Sequence, residues 1–469
     1  MSESLIVSGS GIRGIVGQGL TSQVVARYGA AFADHILESG SAGDFVLVGR
    51  DSRTSGAMFL DAVCSGIEAV GLEVRDMGIV ATPTGLLAVE NTPEASGGVL
   101  VTASHNPAEW NGLKLVSPDG RFISREAGLD VQRRFEEGAW RISSLERRLK
   151  TDSKNLGRNR IVFEGANRLH REKILALPIV DVDRIVARRF RVALDCVRGA
   201  GGLIMPQLLE QLGCSVIGLD IEADGCFPRA PDPVPENLGR LAEIVIEEEA
   251  DFGFAVDPDV DRLSLVDERG RAIGEDWTLS LVTEMVAVRE PGPVVTNLSS
   301  SRSIADAAMR AGAPFYYAPV GEANVVKRMV ELGATIGGEG NGGVVYPTLH
   351  LTRDAPLAAA LILQFFAEQD ATLGAVIAER PNYHIIKRKI PRGGLAISEV
   401  LSAIEEAAPP EAERNWEDGI RIDWPDGSWI NARPSGTEPI LRVVAEAEHK
   451  NDANMRADWV ESHVRGEGK

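Results

Sequence analysis

Phe45-Val46-Leu47-Val48-Gly49-Arg50-Asp51-Ser52-Arg53 is an apolar run that breaks abruptly into a polar turn. Residues 57–70 follow with apolar side chains at helical spacing, Gly71 ends them, and Leu72-Glu73-Val74 resumes an extended pattern. Strand, turn, amphipathic helix, glycine, strand is the unit that builds a parallel sheet, because the crossover must carry the chain back to the same edge. Glycine suits the helix end, where a left-handed residue carries no Cβ penalty. The unit recurs. Phe190-Arg191-Val192-Ala193-Leu194 leads through Gly201-Gly202 to a helix over 203–212, Gly213 and Cys214-Ser215-Val216. Pro293-Val294-Val295-Thr296 leads through Ser299-Ser300-Ser301 to a helix over 303–311, Gly312 and Pro314-Phe315-Tyr316-Tyr317. The copies are too far apart for a solenoid, so the pattern predicts three similar α/β domains with mixed, mostly parallel sheets.

Beyond residue 370 the texture changes. A short helix over 373–379, an extended run over 383–390 and a helix over 397–407 lead to a break at Pro409-Pro410. Hairpin-like strands around Trp424-Pro425-Asp426-Gly427-Ser428-Trp429 and a last helix over 453–463 complete a smaller α+β C-terminal domain. The expected divisions are 1–152, 153–256, 257–370 and 371–469, with the charged stretch 141–160 as the first linker.

With 469 residues, 44% hydrophobic and 25% charged, the chain has the composition of a globular protein of several domains. Its formal charge of −19 argues against a nucleic-acid partner, since phosphate backbones are gripped by excess Lys and Arg. A cleft can still concentrate positive charge for a small phosphorylated ligand. Cys64, Cys196, Cys214 and Cys226 form no CxxC pair and read as buried thiols of a reducing compartment. No basic-then-apolar leader and no run of membrane-spanning length is visible, so a cytoplasmic location without membrane partners is expected.

Four loops carry chemistry. Thr102-Ala103-Ser104-His105-Asn106-Pro107 follows the apolar Gly98-Val99-Leu100-Val101 and offers a hydroxyl at a strand end. A serine nucleophile needs a base or a metal for activation. His105 is adjacent, but neighbours on an extended segment diverge, so it need not be that base. A strand-ending turn with Asn-Pro as terminator is the bland alternative. Asp257-Pro258-Asp259-Val260-Asp261-Arg262 follows another apolar strand, and its carboxylates at i, i+2 and i+4 would repel unless a cation lay among them. Oxygen ligands favour Mg²⁺ or Ca²⁺. An EF-hand is excluded, because its sixth position would be Arg262 rather than glycine and a strand follows directly. Gly337-Gly338-Glu339-Gly340-Asn341-Gly342-Gly343 leaves only Glu339 and Asn341 as side chains, suited to sugar hydroxyls unless the segment is merely a flexible turn. Arg433-Pro434-Ser435-Gly436-Thr437-Glu438-Pro439, with Arg442 beyond, combines a guanidinium, hydroxyls and freed backbone N–H groups into a phosphate cradle or a plain surface turn.

Together and in this order these loops resemble the α-D-phosphohexomutase family. The similarity rests on Ser10-Gly11-Ile12-Arg13-Gly14, on 102–107 followed by Asn111-Gly112-Leu113-Lys114, on 257–262, on 338–343 and on 433–439, and it runs nearly end to end. It implies four domains around a central cleft, the first three alike. Ser104 would be a phosphoserine, and Asp257, Asp259 and Asp261 would hold Mg²⁺ against its phosphate. Arg262, Arg13 and Lys114 would offset the remaining negative charge, with Arg13, Lys114 and His105 on the catalytic side. Glu339 and Asn341 would hold ring hydroxyls, Gly321 would lie in a specificity loop with Glu322, and Arg433, Ser435, Gly436, Thr437 and Arg442 would grip the phosphate that is not reacting.

The reaction so implied interconverts hexose 6-phosphate and hexose 1-phosphate through a 1,6-bisphosphate, which also serves as activator. Phosphoglucosamine mutase leads, with phosphomannomutase/phosphoglucomutase as the alternative, acting as a monomer or homodimer. Two readings of another class compete: an Mg²⁺-dependent sugar phosphatase, and a silent sugar-phosphate-binding protein. The chain departs from many bacterial members by carrying Asn341 and Gly343 where they have Ser and His, and Pro258 where glycine is common. His350 is expected either to fold back as a replacement for that histidine or to be a solvated loop residue.

Overall fold

The computed structural model describes residues 5–40, 43–138, 140, 161–391, 396–435 and 440–465. The expected linker 141–160, together with Gly436 and Thr437, lies outside the described residues. Two compact units divide the chain: 1–275 with 343–368, and 276–342 with 369–469.

The first unit holds two sheets. Strands β1 (Leu5–Ser8), β2 (Gly11–Ile15), β3 (Phe45–Arg50), β4 (Glu73–Ile79), β5 (Ala95–Val101), β6 (Trp110–Val116) and β7 (Ile161–Val162) form one of them in the order β1-β2-β6-β5-β3-β4-β7. The pairs β3/β4, β3/β5 and β4/β7 are parallel, whereas β1/β2, β2/β6 and β5/β6 are antiparallel. Helices Ser22–Ser39 and Gly56–Val70 end at Gly40 (φ 71°) and Gly71 (φ 105°), both in the left-handed region, the second being the cap that the sequence pattern calls for. They cross closely: a Cβ added at Gly66 would stand 1.9 Å from the Ala26 carbonyl oxygen. Tyr28, Phe32, Phe59, Val63 and Ile67 fill the space between these helices and the sheet.

The second sheet has β8 (Arg191–Asp195), β9 (Ser215–Leu219), β10 (Phe252–Val256) and β11 (Leu263–Val266) in the order β11-β10-β8-β9. β10 and β11 are antiparallel neighbours, so the acidic segment 257–262 is the turn of a hairpin. The expected division at 256/257 falls inside that hairpin. Helix Ala355–Ala367 is buried at every position, as its almost wholly apolar sequence Ala-Pro-Leu-Ala-Ala-Ala-Leu-Ile-Leu-Gln-Phe-Phe-Ala requires. It packs against β11 and against helices Ala166–Leu175 and Val182–Arg188.

In the second unit, strand Val294–Asn297 pairs in parallel with Phe315–Ala318 and with Ile336–Glu339. An antiparallel sheet follows, with Ile440–Ala447 between His384–Pro391 and Trp429–Pro434, then Ile420–Asp423 and Glu413–Asn415. Helices Ile397–Ala407 and Lys450–Val464 contribute to its core, which includes Ile404, Ile430, Leu441, Val443 and Val460. The α/β sheets with a C-terminal antiparallel domain match the fold class read from the sequence. Among the described residues no helix is long and apolar enough to cross a membrane. Cys64, Cys196 and Cys214 are buried free thiols, but Cys226 is exposed, contrary to expectation.

Candidate active site

β5 is buried along its length and delivers the chain into loop 102–107. Ser104 there adopts φ 52°, a left-handed conformation that costs a non-glycine residue about 1–2 kcal/mol. The turn at Ser104 corrects the expectation that Ser104 and His105 diverge. It brings His105 Nδ1 to 3.3 Å from Ser104 Oγ, while Oγ donates to Asp257 Oδ2, also at 3.3 Å. Burial, followed by the charges of Arg262 and Arg353, pushes the His105 pKa well down.

A buried guanidinium holds the strained turn. Arg53 Nη2 donates to the carbonyl oxygens of Ser104 and Asn106, both at 2.6 Å, and Nη1 to those of Pro107 (2.6 Å) and Trp110 (3.0 Å). Its Nε donates to Asp51 Oδ2 at 3.0 Å, so all five N–H groups are used. Asp51 Oδ2 also accepts from Thr102 Oγ1 at 2.6 Å, and Thr102 Oγ1 in turn accepts from the Ser104 N–H at 2.9 Å.

The acidic hairpin turn is closed by Asp257 itself, whose Oδ1 accepts from the N–H groups of Asp261 (3.1 Å) and Arg262 (3.2 Å). Val260 at φ 64° makes the bend that lets the three carboxylates converge. Asp257, Asp259 and Asp261 are buried and each offers an oxygen within 4.8 Å of the others. Lys114 Nζ donates to Asp259 Oδ2 at 2.8 Å and to Asp261 Oδ2 at 3.4 Å. Thr82 Oγ1 donates to Asp259 Oδ2 at 2.6 Å, and Arg353 Nη2 to Asp261 Oδ2 at 2.7 Å. Arg262 directs Nη1 to Asp232 at 2.9 Å and brings Nε within 3.7 Å of Asp261 Oδ1.

The charges follow this geometry. Burial, then the neighbouring Asp261 and Asp259, hold the Asp257 pKa well above the usual carboxylate range, in spite of Arg262. Burial acts the same way on Asp259, but Lys114 and the Thr82 hydroxyl outweigh it and hold that carboxyl low. Burial works against the Lys114 ammonium, and Asp259 and Asp261 more than offset it, so the Lys114 pKa is raised. Asp259 Oδ1 and Asp261 Oδ1 are buried with no hydrogen-bond partner among the described residues. Leaving a buried acceptor so costs about 1–3 kcal/mol, and more for charged groups. Two bare carboxylate oxygens beside a third carboxylate are what an oxygen-liganded divalent ion satisfies. These residues fit a metal ion.

In the second unit, Glu339 ends its strand, 5% exposed. Its Oε1 accepts from Asn297 Nδ2 (2.8 Å) and from the Gly321 N–H (3.0 Å), and its Oε2 lies 3.4 Å from Asn341 Nδ2. The glycine-rich turn is tightly held rather than loose: a Cβ at Gly340 would fall 1.9 Å from Asp276 Oδ1, and the Gly340 N–H donates to Ser300 Oγ at 2.9 Å. Arg433 and Arg442 stand directly opposite each other on antiparallel strands. Burial, aided by Arg442, lowers the Arg433 pKa although Asp418 and Glu339 oppose the shift. The Ser435 N–H donates to the Ile440 carbonyl at 3.0 Å and closes the loop whose tip lies outside the described residues.

Other expectations fare differently. Arg13 is exposed, with Nη1 3.3 Å from Asn106 Oδ1. His350 is no solvated loop residue: it is 3% exposed, and its Nε2 is committed to Asp354 Oδ2 at 2.7 Å. Arg53, Thr82 and Arg353 were missed, because each reaches the loops across a long stretch of sequence. The only nearby signal is Asp354-Ala355-Pro356 before an apolar run, which has the form of a helix N-cap followed by proline and points to Asp354 rather than to Arg353.

Comparison with known proteins places the whole chain in one family. Models of the Phosphoglucomutase/phosphomannomutase family match in four parts: alpha/beta/alpha domain I over residues 5–141, domain II over 169–270, domain III over 275–383, and the C-terminal domain over 386–461. A phosphoglucomutase/phosphomannomutase of Thermococcus kodakarensis is 37% identical over 94% of this chain and 94% of its own. A phosphoglucosamine/phosphogalactosamine mutase of Sulfurisphaera tokodaii is 31% identical over 97% of this chain and 98% of its own. The crystal structure of a phosphoglucomutase/phosphomannomutase family protein from Burkholderia thailandensis superposes with a TM-score of 0.82 at 26% identity, covering 98% of both chains.

Proposed function

The chain belongs to the phosphoglucomutase/phosphomannomutase family, and from that premise we propose that it interconverts hexose 6-phosphate and hexose 1-phosphate through a phosphoserine at Ser104. The observation that carries this reading is the approach of Ser104 Oγ to Asp257 Oδ2 beside two bare carboxylate oxygens. It is an arrangement suited to a phosphate and a divalent ion together, and poorly suited to a lone serine.

Phosphoryl transfer depends mainly on positioning and on neutralising charge, since the protein has little covalent work to do. In the forward step the bond from phosphorus to Ser104 Oγ breaks while one to a sugar hydroxyl oxygen forms. The hydroxyl's proton leaves, and the serine oxygen regains one when it is freed. The reverse step takes the other phosphate of the bisphosphate back onto Ser104. Asp257, Asp259 and Asp261 would hold Mg²⁺, which when bound supplies charge neutralisation at the transferring phosphate. Lys114 and Arg262 present cations to the same carboxylates, and Arg13 and His105 flank the serine loop. Glu339 and Asn341 would receive ring hydroxyls, with Gly321 and Glu322 beside them. Arg433, Ser435, Gly436, Thr437 and Arg442 would grip the phosphate that is not reacting.

Glucosamine phosphate is placed first as substrate, with mannose and glucose phosphates as the alternative. A relative of each kind supports the pair. The test is a coupled assay over glucosamine, mannose, glucose and N-acetylglucosamine phosphates with Mg²⁺ and a hexose 1,6-bisphosphate, with inorganic phosphate measured alongside. Isomerised sugar in large excess over released phosphate is expected. Phosphate as the main product would replace the mutase by a phosphatase.

A further inference from the structure

Arg353 brings a charge to the acidic centre that none of the recognised loops supplies. It is 7% exposed, and its Nη2 donates at 2.7 Å to Asp261 Oδ2, the oxygen that Lys114 approaches at 3.4 Å. Its charge is felt on both sides of the centre, at His105 next to Ser104 and at Lys114.

The residues after Arg353 explain why a guanidinium can stay there. Asp354 Oδ1 caps helix Ala355–Ala367 by accepting from the Leu357 N–H at 2.9 Å. Its Oδ2 accepts from His170 Nε2 and from His350 Nε2, each at 2.7 Å. His170 Nδ1 lies 2.8 Å from Thr84 Oγ1, two residues beyond Thr82, which donates to Asp259. The Ala355 N–H donates to the carbonyl of Val260, in the middle of the acidic turn, at 3.2 Å. Arg353 is thus mounted on the turn it serves.

We propose that Arg353 is a positioning residue for phosphoryl transfer, a built-in cation that biases the acidic centre toward holding a phosphate together with its divalent ion and away from holding the ion alone. The inference rests on the phosphoserine reading above. Lys114 and Arg353 donate to the carboxylates of the centre, while Arg262 is shared between Asp261 at 3.7 Å and Asp232 at 2.9 Å. Counting Asp232, the fixed charges sum to about one unit negative, so a phosphate dianion of about −2 is tolerated only beside a divalent ion that offsets it. A phosphate alone would leave several uncompensated negative charges in a centre from which water is excluded, which is costly. Without Arg353 the balance moves one unit negative. Ion binding to the dephosphorylated enzyme then becomes easier, and keeping a phosphate there becomes harder.

The test uses full-length enzyme, with Mn²⁺ as the probe, in wild type, Arg353→Gln and Arg353→Lys. Three quantities are read: Mn²⁺ affinity of the dephosphorylated protein by calorimetry, phosphoserine content by intact mass after incubation with bisphosphate, and kcat with KM. Arg353→Gln should bind Mn²⁺ at least several-fold more tightly, hold less phosphoserine, and lose about 30-fold or more in kcat with KM little changed. Arg353→Lys keeps the charge and should return Mn²⁺ affinity to near the wild-type value. A residue with a merely structural role would weaken both ion binding and turnover, so weaker or unchanged Mn²⁺ binding in Arg353→Gln overturns the proposal. If that variant does not fold, Arg353→Lys decides: wild-type-like Mn²⁺ affinity supports it, and lost affinity overturns it. An inactive wild type would sink the mutase reading itself, whereas an active wild type matched by Arg353→Gln in all three readouts sinks this inference alone.

Discussion

Arg53 and Ser104 sit fifty-one positions apart and are joined by a 2.6 Å hydrogen bond from the guanidinium to the Ser104 carbonyl. The bond is one of four by which a single buried side chain shapes the loop that presents the serine hydroxyl. The left-handed turn at Ser104 is therefore paid for by a residue with no role in the chemistry.

Replacing Arg53 tests that arrangement. Arg53→Ala leaves Asp51 as a buried carboxylate without its guanidinium and should cost about 3–5 kcal/mol of stability. Arg53→Lys keeps a charge but not the fork, so it should fold with a lower Tm and a reduced kcat. Thermal unfolding and turnover of the two variants check this, and Lys as good as Arg would refute it.

Ser104→Ala should reduce turnover at least about a thousandfold while changing stability by no more than about 1 kcal/mol. Mass spectrometry should find phosphate on the wild type after incubation with bisphosphate and none at this position in the variant. Substantial mutase activity in Ser104→Ala would remove the phosphoserine from the mechanism.

Arg433→Ala should raise KM for the 1-phosphate and for the 6-phosphate alike, by about 10-fold or more in each case, because one charged grip serves both orientations. Initial rates measured in both directions decide it. A change limited to one isomer contradicts a shared phosphate grip.

Asp354 gives the stability of the first unit a defined dependence on acid. Burial works to raise its pKa, but His170 and His350 outweigh that and hold the carboxyl below the usual range. A depressed carboxylate pKa adds stability that is fully present above the unfolded value of about 4 and is lost as pH falls through the folded one. Asp354→Asn should therefore lie about 3–5 kcal/mol below wild type at neutral pH, with the gap closing only in strong acid. Denaturant unfolding at pH 7 and at pH 3 should show a gap that is smaller at pH 3 but still open. A gap that widens on acidification would contradict the assignment.

Thiol labelling probes the buried framework. Cys226 is exposed and should react with a disulfide reagent in native protein. Cys64, Cys196 and Cys214 should react only after unfolding, Cys214 being pushed up to about 12 by burial and the nearby Asp251. More than one fast thiol in the native state would show that the interior opens.

Much of this protein could be read along the chain. The alternation at 45–74 and its two later copies called for parallel strands with crossover helices. The observed strands Phe45–Arg50, Arg191–Asp195 and Val294–Asn297 lie where periodicity placed them, within a residue or two. The acidic hairpin turn was legible for the same reason: apolar strands flank it on both sides, and its carboxylates are spaced within the turn itself.

Local pattern does not carry what reaches across it. Strand geometry alone separates the His105 and Ser104 side chains, but it stops at a turn whose φ of 52° is held by Arg53 from another loop. His350 was expected near the sugar loop or in solvent, yet His170 and Asp354 seal it in the interior. Arg353 carried no motif at all. The sequence by itself determined the strands, the helices and the residue types that hold phosphate and metal, since these follow from periodicity and from short-range spacing. Only the tertiary structure decided which distant cations meet those carboxylates and how the serine is turned toward them. The physical reason is that a buried charge takes whichever partner folding brings within about 3 Å, at any separation along the chain.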